Sequence, residues 1–315
     1  MEMTAWKVLL TDGLDKEGQE ILGAVAQVDN KKDITPEEVL KVIGEYDAVI
    51  VRGRTKLTPE VFDAAGKLKV AGRAGVGVDN INLDAAKSHG VTVVNSPMAT
   101  TVAVAELTLG LMLASVREIP RADAGMKQGN WLKKELRGTE LFQKTLGVIG
   151  FGRIGVSVAE RAKAFGMQVI AYDPLLDADE IKKRGGEPAS LDDLLAKSDF
   201  ITMHIPLTPE SRNLLNAAAF AKMKDGVRIV CAARGGVIDE AALLEVLNSG
   251  KVASAALDVF STEPPGKTDL ASHPKVVCTP HIGAETVEAQ KRAAVDIASE
   301  VVAALKGEPL RWKIV

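Results

Sequence analysis

At 315 residues the chain exceeds what one hydrophobic core comfortably organises and calls for two lobes. Its composition, 46% hydrophobic and 26% charged, is that of an ordinary globular protein without a disordered or low-complexity stretch. A net charge of -3 excludes the basic footprint of nucleic-acid binding, so any anionic ligand must be caught by a few placed cations.

The opening MEMTAWKVLLTDG lacks the basic and apolar regions of a secretory signal. KVLLTD, AVAQVD, AVIVRG, KLKVAG and VTVVNS follow as valine-rich strands bounded by Gly, Asp or Asn. Between them TPEEVLKVIGEY and TPEVFDAAGK read as helices, Thr-Pro-Glu supplying an N-cap, a first-turn proline and an acid. Strands alternating with helices imply a parallel sheet covered on both faces. Near Thr100 a long apolar helix begins. Its stretch from Val102 to Val116 is shorter than a bilayer requires and contains Glu106, so it reads as buried and no membrane is expected. RADAGMKQGNWLKKELRGTEL reads as a polar connection. A second alternating series starts at KTLGVIGFGRIG and continues through MQVIAYD, DFITMHI, VRIVCAA, SAALDVF and KVVCTP. ETVEAQKRAAVDIASEVVAALKG is a final amphipathic helix. Cys231 and Cys278 read as buried strand thiols, with no disulfide framework, which points to a reducing, cytoplasmic compartment. The four histidines show no metal-ligand spacing, so no metal is expected.

The most specific motif is Gly150-Phe151-Gly152-Arg153-Ile154-Gly155. It closes one apolar strand and opens a helix, and the next strand ends in Asp173, 18 residues beyond Gly155. That is the dinucleotide fingerprint in its required context. Gly150 permits the tight turn, Gly152 lets backbone approach a pyrophosphate, and Gly155 lets the helix pack on the strand. The helix's free N–H groups, at Arg153, Ile154 and Gly155, receive the negative charge. Asp173 can accept from the adenosine ribose and repel a 2'-phosphate, so NAD is expected rather than NADP.

Arg234, Glu263 and His281 follow successive strands of the second lobe, at the carboxyl ends where such folds bind ligands. Singly, each has an ordinary alternative: a surface turn, a solvated loop acid, a helix cap. Together, AARGGVIDE, ALDVFSTEPP, TPHIGA and GFGRIG resemble the signatures of the D-isomer-specific 2-hydroxyacid dehydrogenases over essentially the whole chain. The resemblance implies an α/β architecture of two doubly wound parallel-sheet lobes, a Rossmann cofactor domain at residues 98–286 and a flavodoxin-like substrate domain at 1–97 and 287–315. It implies NAD-dependent hydride transfer at the 2-carbon of a small anionic hydroxy acid. Arg234 would pair with the carboxylate and polarise the 2-oxygen, His281 would be the acid-base, and Glu263 would fix the imidazole tautomer and stabilise its charged form. Asp258 resembles the residue that orients the nicotinamide amide, and Ala232 and Gly283 are counted with the cofactor lining. The chain departs from the family at Cys231, where asparagine is frequent, and at Ala99-Thr100-Thr101, where Gly-Asn-Thr is usual.

In the first lobe, Arg52 and Arg54 follow AVIV, and Arg73 follows KLKVAG. AGRAGVGVDNINLDAA is most similar to the family branch acting on D-3-phosphoglycerate. By that resemblance Gly75 and Val76 meet the substrate carboxylate, Arg52 and Arg73 approach a phosphate, and Lys133 reaches a neighbouring subunit's site across a homodimer built on the long helix. A reductase of glyoxylate or hydroxypyruvate is the alternative within the family. An NADH-sensing corepressor-like scaffold is the alternative of another class, but this compact chain lacks extra partner-binding segments. The longer branch members' C-terminal regulatory domain has no counterpart here, so no serine feedback through one is expected.

Overall fold

The computed structural model describes residues 6–315. The chain divides into two compact units, one formed by Met1–Thr100 with Ala284–Val315 and the other by Thr101–Gly283.

In the first unit the strands are β1 (Trp6–Leu10), β2 (Ala26–Asn30), β3 (Ala48–Val51), β4 (Val70–Arg73) and β5 (Thr92–Asn95). They alternate with α1 (Lys16–Gly23), α2 (Pro36–Val42), α3 (Pro59–Ala64) and α4 (Leu83–Ser88). All five strands pair in parallel, in the order β2-β1-β3-β4-β5. Every residue of β3, AVIV, is buried, because a parallel strand covered on both faces has no solvent side. Leu9, Val49 and Val51 point to a core under Val39, Val61 and Phe62, whereas Val8, Leu10 and Ile50 point to one under Leu22, Ile297 and Val301. Thr35 completes a capping box with Glu38 at the start of α2. Thr58 occupies the same position before α3 but its side chain makes no cap bond, so only the proline and the acid of that signal operate there.

The second unit contains α5 (Thr101–Val116), α6 (Ile119–Lys127), β6 (Thr145–Ile149), α7 (Arg153–Ala164), β7 (Gln168–Tyr172), α8 (Ala178–Lys183) and β8 (Glu187–Pro188). It continues through α9 (Leu191–Lys197), β9 (Phe200–Met203), α10 (Ala217–Lys222), β10 (Val227–Cys231), α11 (Glu240–Ser249), β11 (Val252–Leu257) and β12 (Val276–Cys278). The parallel order is β12-β11-β10-β9-β6-β7-β8. One face is covered by α5, α7 and Ile181 of α8, the other by α9, α10 and α11. The final helix α12 (Val287–Lys306) packs on α1 and across β3, β4 and β5 of the first unit. Residues 311–315 then run beside β5, where Ile314 N–H donates to Val93 O at 2.8 Å.

Two further expectations are corrected. The segment after α5 is not wholly a polar connection: Glu118 turns the chain at φ 49°, and α6 follows with Pro120 in its first turn. Cys278 is exposed, because β12 is an edge strand, whereas Cys231 is buried as expected. Among the described residues no helix is long and apolar enough to cross a membrane, and no His/Cys/Asp/Glu group could hold a metal ion.

Candidate active site

The glycine-rich turn joins β6 to α7. Gly150 has φ 91°, which an L side chain resists, and its N–H donates to Tyr172 O at 2.8 Å. A Cβ on Gly155 would stand 2.0 Å from Gly150 O, so α7 can lie this close to the strand only with glycine there. No neighbour lies within 4 Å of a Cβ built on Gly152, so that side of the turn is open. The N-cap of α7 is Gly152, and no side chain caps the helix. Its first N–H groups, at Arg153, Ile154 and Gly155, therefore suit an anion. These features fit a pyrophosphate.

Asp173, just past β7, does more than the sequence revealed. One carboxylate oxygen accepts Phe151 N–H at 2.7 Å and the other Leu175 N–H at 2.8 Å. It fastens the glycine turn to the loop after β7. His204, after β9, lies against the turn, since a Cβ on Gly150 would meet its carbonyl at 2.7 Å. Its residue surface is only half-buried, but the ring Nδ1 is fully covered and without a partner. Burial pushes its pKa down to about 3, which keeps the ring neutral near pH 7.

The candidate reacting groups lie on loops after β10, β11 and β12. His281 Nδ1 is 2.7 Å from Glu263 Oε2, and Glu263 Oε1 accepts Phe260 N–H at 3.0 Å. Burial pushes the Glu263 carboxyl up. The hydrogen bond from His281, that from Phe260 N–H and the charges of His281 and Arg234 outweigh it, and the carboxyl stays below its ordinary range. Arg234 lies half-buried at the end of the β10 loop, its Nη1 donating to Ala233 O at 2.7 Å. The next residue must be glycine, because a Cβ on Gly235 would fall 1.7 Å from Phe260 O. Ala232, on the same loop, is buried.

His281 has φ 53°, an uncommon conformation for a residue with a side chain. Asp258 explains how it is held. This residue is 1% exposed, and its carboxylate accepts from Thr279 Oγ1, Ile282 N–H and Gly283 N–H. Its carbonyl also accepts His281 N–H at 2.9 Å. Asp258 thus tethers the histidine loop to the end of β11, a role invisible in the motif ALDVF. Burial pushes the neighbouring Cys231 thiol up to about 11, so it is inert near pH 7.

In the first unit, Arg73 ends β4 and its guanidinium folds over Gly75. A Cβ there would sit 1.6 Å from Arg73 Nη1. Gly75 O accepts Ser96 N–H at 3.0 Å, so the trans peptide turns Val76 N–H the opposite way. Val76 O accepts from Asn95 Nδ2 at 2.6 Å. Arg52 Nη2 pairs with Glu285 Oε1 at 2.7 Å, a partner that no motif announces. Arg54 is structural: it donates to the carbonyls of Thr11, Lys32 and Ile34 and pairs with Asp12. Lys133 stands exposed on the irregular segment between α6 and β6.

Comparison with known proteins places these features. Residues 109–283 match the model for the D-isomer specific 2-hydroxyacid dehydrogenase, NAD binding domain. A D-3-phosphoglycerate dehydrogenase from Synechocystis is 46% identical over 308 residues, 98% of this chain and 56% of that protein. The chain spans about half the length of the curated phosphoglycerate dehydrogenases it matches. A hydroxypyruvate reductase from Thermotoga maritima is 46% identical over 95% of this chain and 98% of its own. The crystal structure of a glyoxylate reductase from Paecilomyes thermophila superposes with a TM-score of 0.90 at 32% identity, covering 99% of both chains. With that NAD-binding domain occupying more than half its length, the chain belongs to the D-isomer-specific 2-hydroxyacid dehydrogenases.

Proposed function

We propose that this chain oxidises D-3-phosphoglycerate to 3-phosphohydroxypyruvate with NAD, the first step of serine biosynthesis. The observation that carries the dehydrogenase chemistry is the 2.7 Å contact between His281 and Glu263 in the unit that holds the dinucleotide turn. In this reading Thr101–Gly283 takes the cofactor, and the other unit supplies substrate contacts.

Gly150, Gly152, Arg153, Ile154 and Gly155 would hold the pyrophosphate, Asp173 the ribose, and Ala232, Asp258 and Gly283 line the nicotinamide end. NAD held by these residues would supply the hydride acceptor for the substrate 2-carbon. A carboxylate accepts only, so Glu263 fixes the proton of a neutral His281 on Nδ1 and leaves Nε2 as the basic atom. Nε2 takes the hydroxyl proton during oxidation and returns it during reduction. Glu263 then faces a full imidazolium charge, which its ionised carboxylate stabilises. Arg234 would hold the substrate carboxylate through its planar fork and polarise the 2-oxygen.

Gly75 and Val76 would meet the carboxylate, and Arg52 and Arg73 the phosphate. Support for a phosphorylated substrate comes from the folding of Arg73 over Gly75 and from the phosphoglycerate dehydrogenases among the relatives. A homodimer through the α5–α6 segment belongs to the same reading, since Ile119, Met126 and Trp131 stand exposed there and Lys133 follows them. The proposed setting is cytoplasmic.

The pairing of Arg52 with Glu285 favours a second reading, a hydroxypyruvate or glyoxylate reductase, because a carboxylate already occupies one proposed phosphate contact. The deciding assay supplies NADH with 3-phosphohydroxypyruvate, hydroxypyruvate or glyoxylate. A higher kcat/KM for the phosphorylated acid supports the first reading, and preference for either unphosphorylated acid replaces it with the second. Turnover of all three lost in His281→Ala, with NADH still bound, supports the acid-base role. Undiminished turnover refutes it.

A further inference from the structure

One cavity of the second unit lies away from the loops that carry Arg234, Glu263 and His281. Those loops leave the carboxyl ends of β10, β11 and β12. At the amino ends of the same strands, Arg228, Ser254 and Lys275 line a cavity of about 450 Å³. The end of α5, the start of α6 and the segment carrying Arg137 and Thr139 close its other side. Its volume is in the range of small-molecule sites.

The lining charge is lopsided. Four cations, Arg121, Arg137, Arg228 and Lys275, face one carboxylate, Glu118. Arg121 is taken, bonded to Glu118 and Glu135. Arg137, Arg228 and Lys275 make no ion pair among the described residues. Arg228 is half-buried and fixed from two sides: Nη2 donates to Thr139 Oγ1 at 2.9 Å, and its guanidinium carbon lies 5.5 Å from the centroid of Phe200. Burial pushes its pKa down, opposed by the charge of Asp199, whose carboxylate is itself bonded to Thr145 N–H and Lys224. A half-buried guanidinium held on two sides and without a carboxylate partner is poised for an anion that brings its own acceptors.

The independent sign of a ligand is Ser254. It is 9% exposed, lines this cavity, and its Oγ is buried without a hydrogen-bond partner. Such an orphaned hydroxyl in a native fold calls for an occupant.

We propose that this cavity binds a small phosphate-bearing anion, held by Arg228, Arg137 and Lys275 and by a hydrogen bond from Ser254. Three cations and one hydroxyl arranged around a pocket suit a tetrahedral group with several acceptor oxygens better than a planar carboxylate. The site is separate from the proposed chemistry. From Arg228 the strand rises about 10 Å to Cys231 before the loop that carries Arg234 begins, so the two sites lie at opposite ends of β10.

Titration calorimetry of the full chain tests this, using inorganic phosphate, glycerol phosphate and, at matched ionic strength, sodium chloride. The expected result is saturable binding of phosphate or the monoester but not chloride, weakened at least tenfold in the double variant Arg137→Gln, Lys275→Gln. Both side chains are exposed, so folding is not at stake, and kcat/KM for the preferred 2-oxo acid stays unchanged. Ser254→Ala, which removes only the orphaned hydroxyl, weakens the same binding. Tighter binding of the monoester than of free phosphate identifies a phosphorylated metabolite as the occupant; the reverse identifies the free ion. No saturable binding, or binding that both variants leave intact, overturns the proposal. So does self-association lost in the double variant without phosphate binding, which makes the patch an interface.

Discussion

Replacing Glu285 by glutamine tests the substrate assignment most directly. Glu285 Oε1 lies 2.7 Å from Arg52 Nη2, with the two side chains 50% and 30% exposed. At that exposure the pair contributes only about 0.2–1 kcal/mol, so Glu285→Gln leaves thermal stability nearly unchanged. Its effect on an anionic substrate is larger. A phosphate docking on Arg52 must displace the carboxylate and then tolerate its charge. At a separation of about 6 Å in water-like dielectric that repulsion is roughly 0.7 kcal/mol per unit charge, or about 1.4 kcal/mol for a dianion. Adding the lost ion pair gives about 1.6–2.4 kcal/mol, roughly a 15- to 50-fold fall in KM for 3-phosphohydroxypyruvate. Glyoxylate, which has no second anionic group to place on Arg52, should change little. The gain should shrink as salt is raised from low to physiological strength. Steady-state kinetics with both acids at two ionic strengths reads this out. An equal change for both, or none for the phosphorylated acid, refutes the assignment of Arg52 as a phosphate contact.

Gly155→Ala would force α7 from the turn, since its Cβ starts 2.0 Å from Gly150 O; NADH affinity measured by fluorescence should fall at least tenfold, at a stability cost of about 1–3 kcal/mol. Glu263→Gln should show a pH signature in chemical denaturation. The wild-type carboxyl lies below its ordinary 4.5, so its stabilisation is present above that pH and fades as pH falls through the lowered value; a gap between wild type and variant that widens on acidification contradicts this. Glu300, 2% exposed, accepts from Arg311 Nε, Arg311 N–H and Trp312 N–H. Glu300→Gln should cost about 1–3 kcal/mol and speed hydrogen exchange at Val93 and Asn95, which bond to the chain's last residues; unchanged protection there means that Glu300 does not hold the tail.

The alternation of strands and helices was legible because buried parallel strands such as AVIV and FITM are apolar at every position, a pattern that survives without tertiary context. The dinucleotide turn was legible for a similar reason: its glycines answer to local geometry, and Gly155 is fixed by the backbone five residues before it. What stayed hidden depends on long-range partners. Nothing around Glu285 announces a contact with Arg52, 233 residues away. Nothing in ALDVF shows that Asp258 tethers the histidine loop, nor does the loop after β7 show Asp173 closing on Phe151. Arg54 and Arg52 stand two positions apart after the same strand, yet one is consumed by backbone carbonyls and the other keeps a displaceable partner. Composition cannot separate such neighbours. The turn at Glu118 was missed because the polar run after it resembles a loop until Pro120 is seen to open a helix.

The glycine turn, Asp173, Asp258 and the Glu263–His281 pair all belong to Thr101–Gly283, whereas Arg52, Arg73, Gly75 and Glu285 all belong to the other unit. Heredity can therefore act on the two sets separately. A gene that exchanged the outer segments for those of a relative would leave the bonds around His281 intact, because none of the contacts described for it leaves the inner segment. Chimaeras joined at residues 100 and 284 would set new proposed substrate contacts beside an unchanged Glu263–His281 pair.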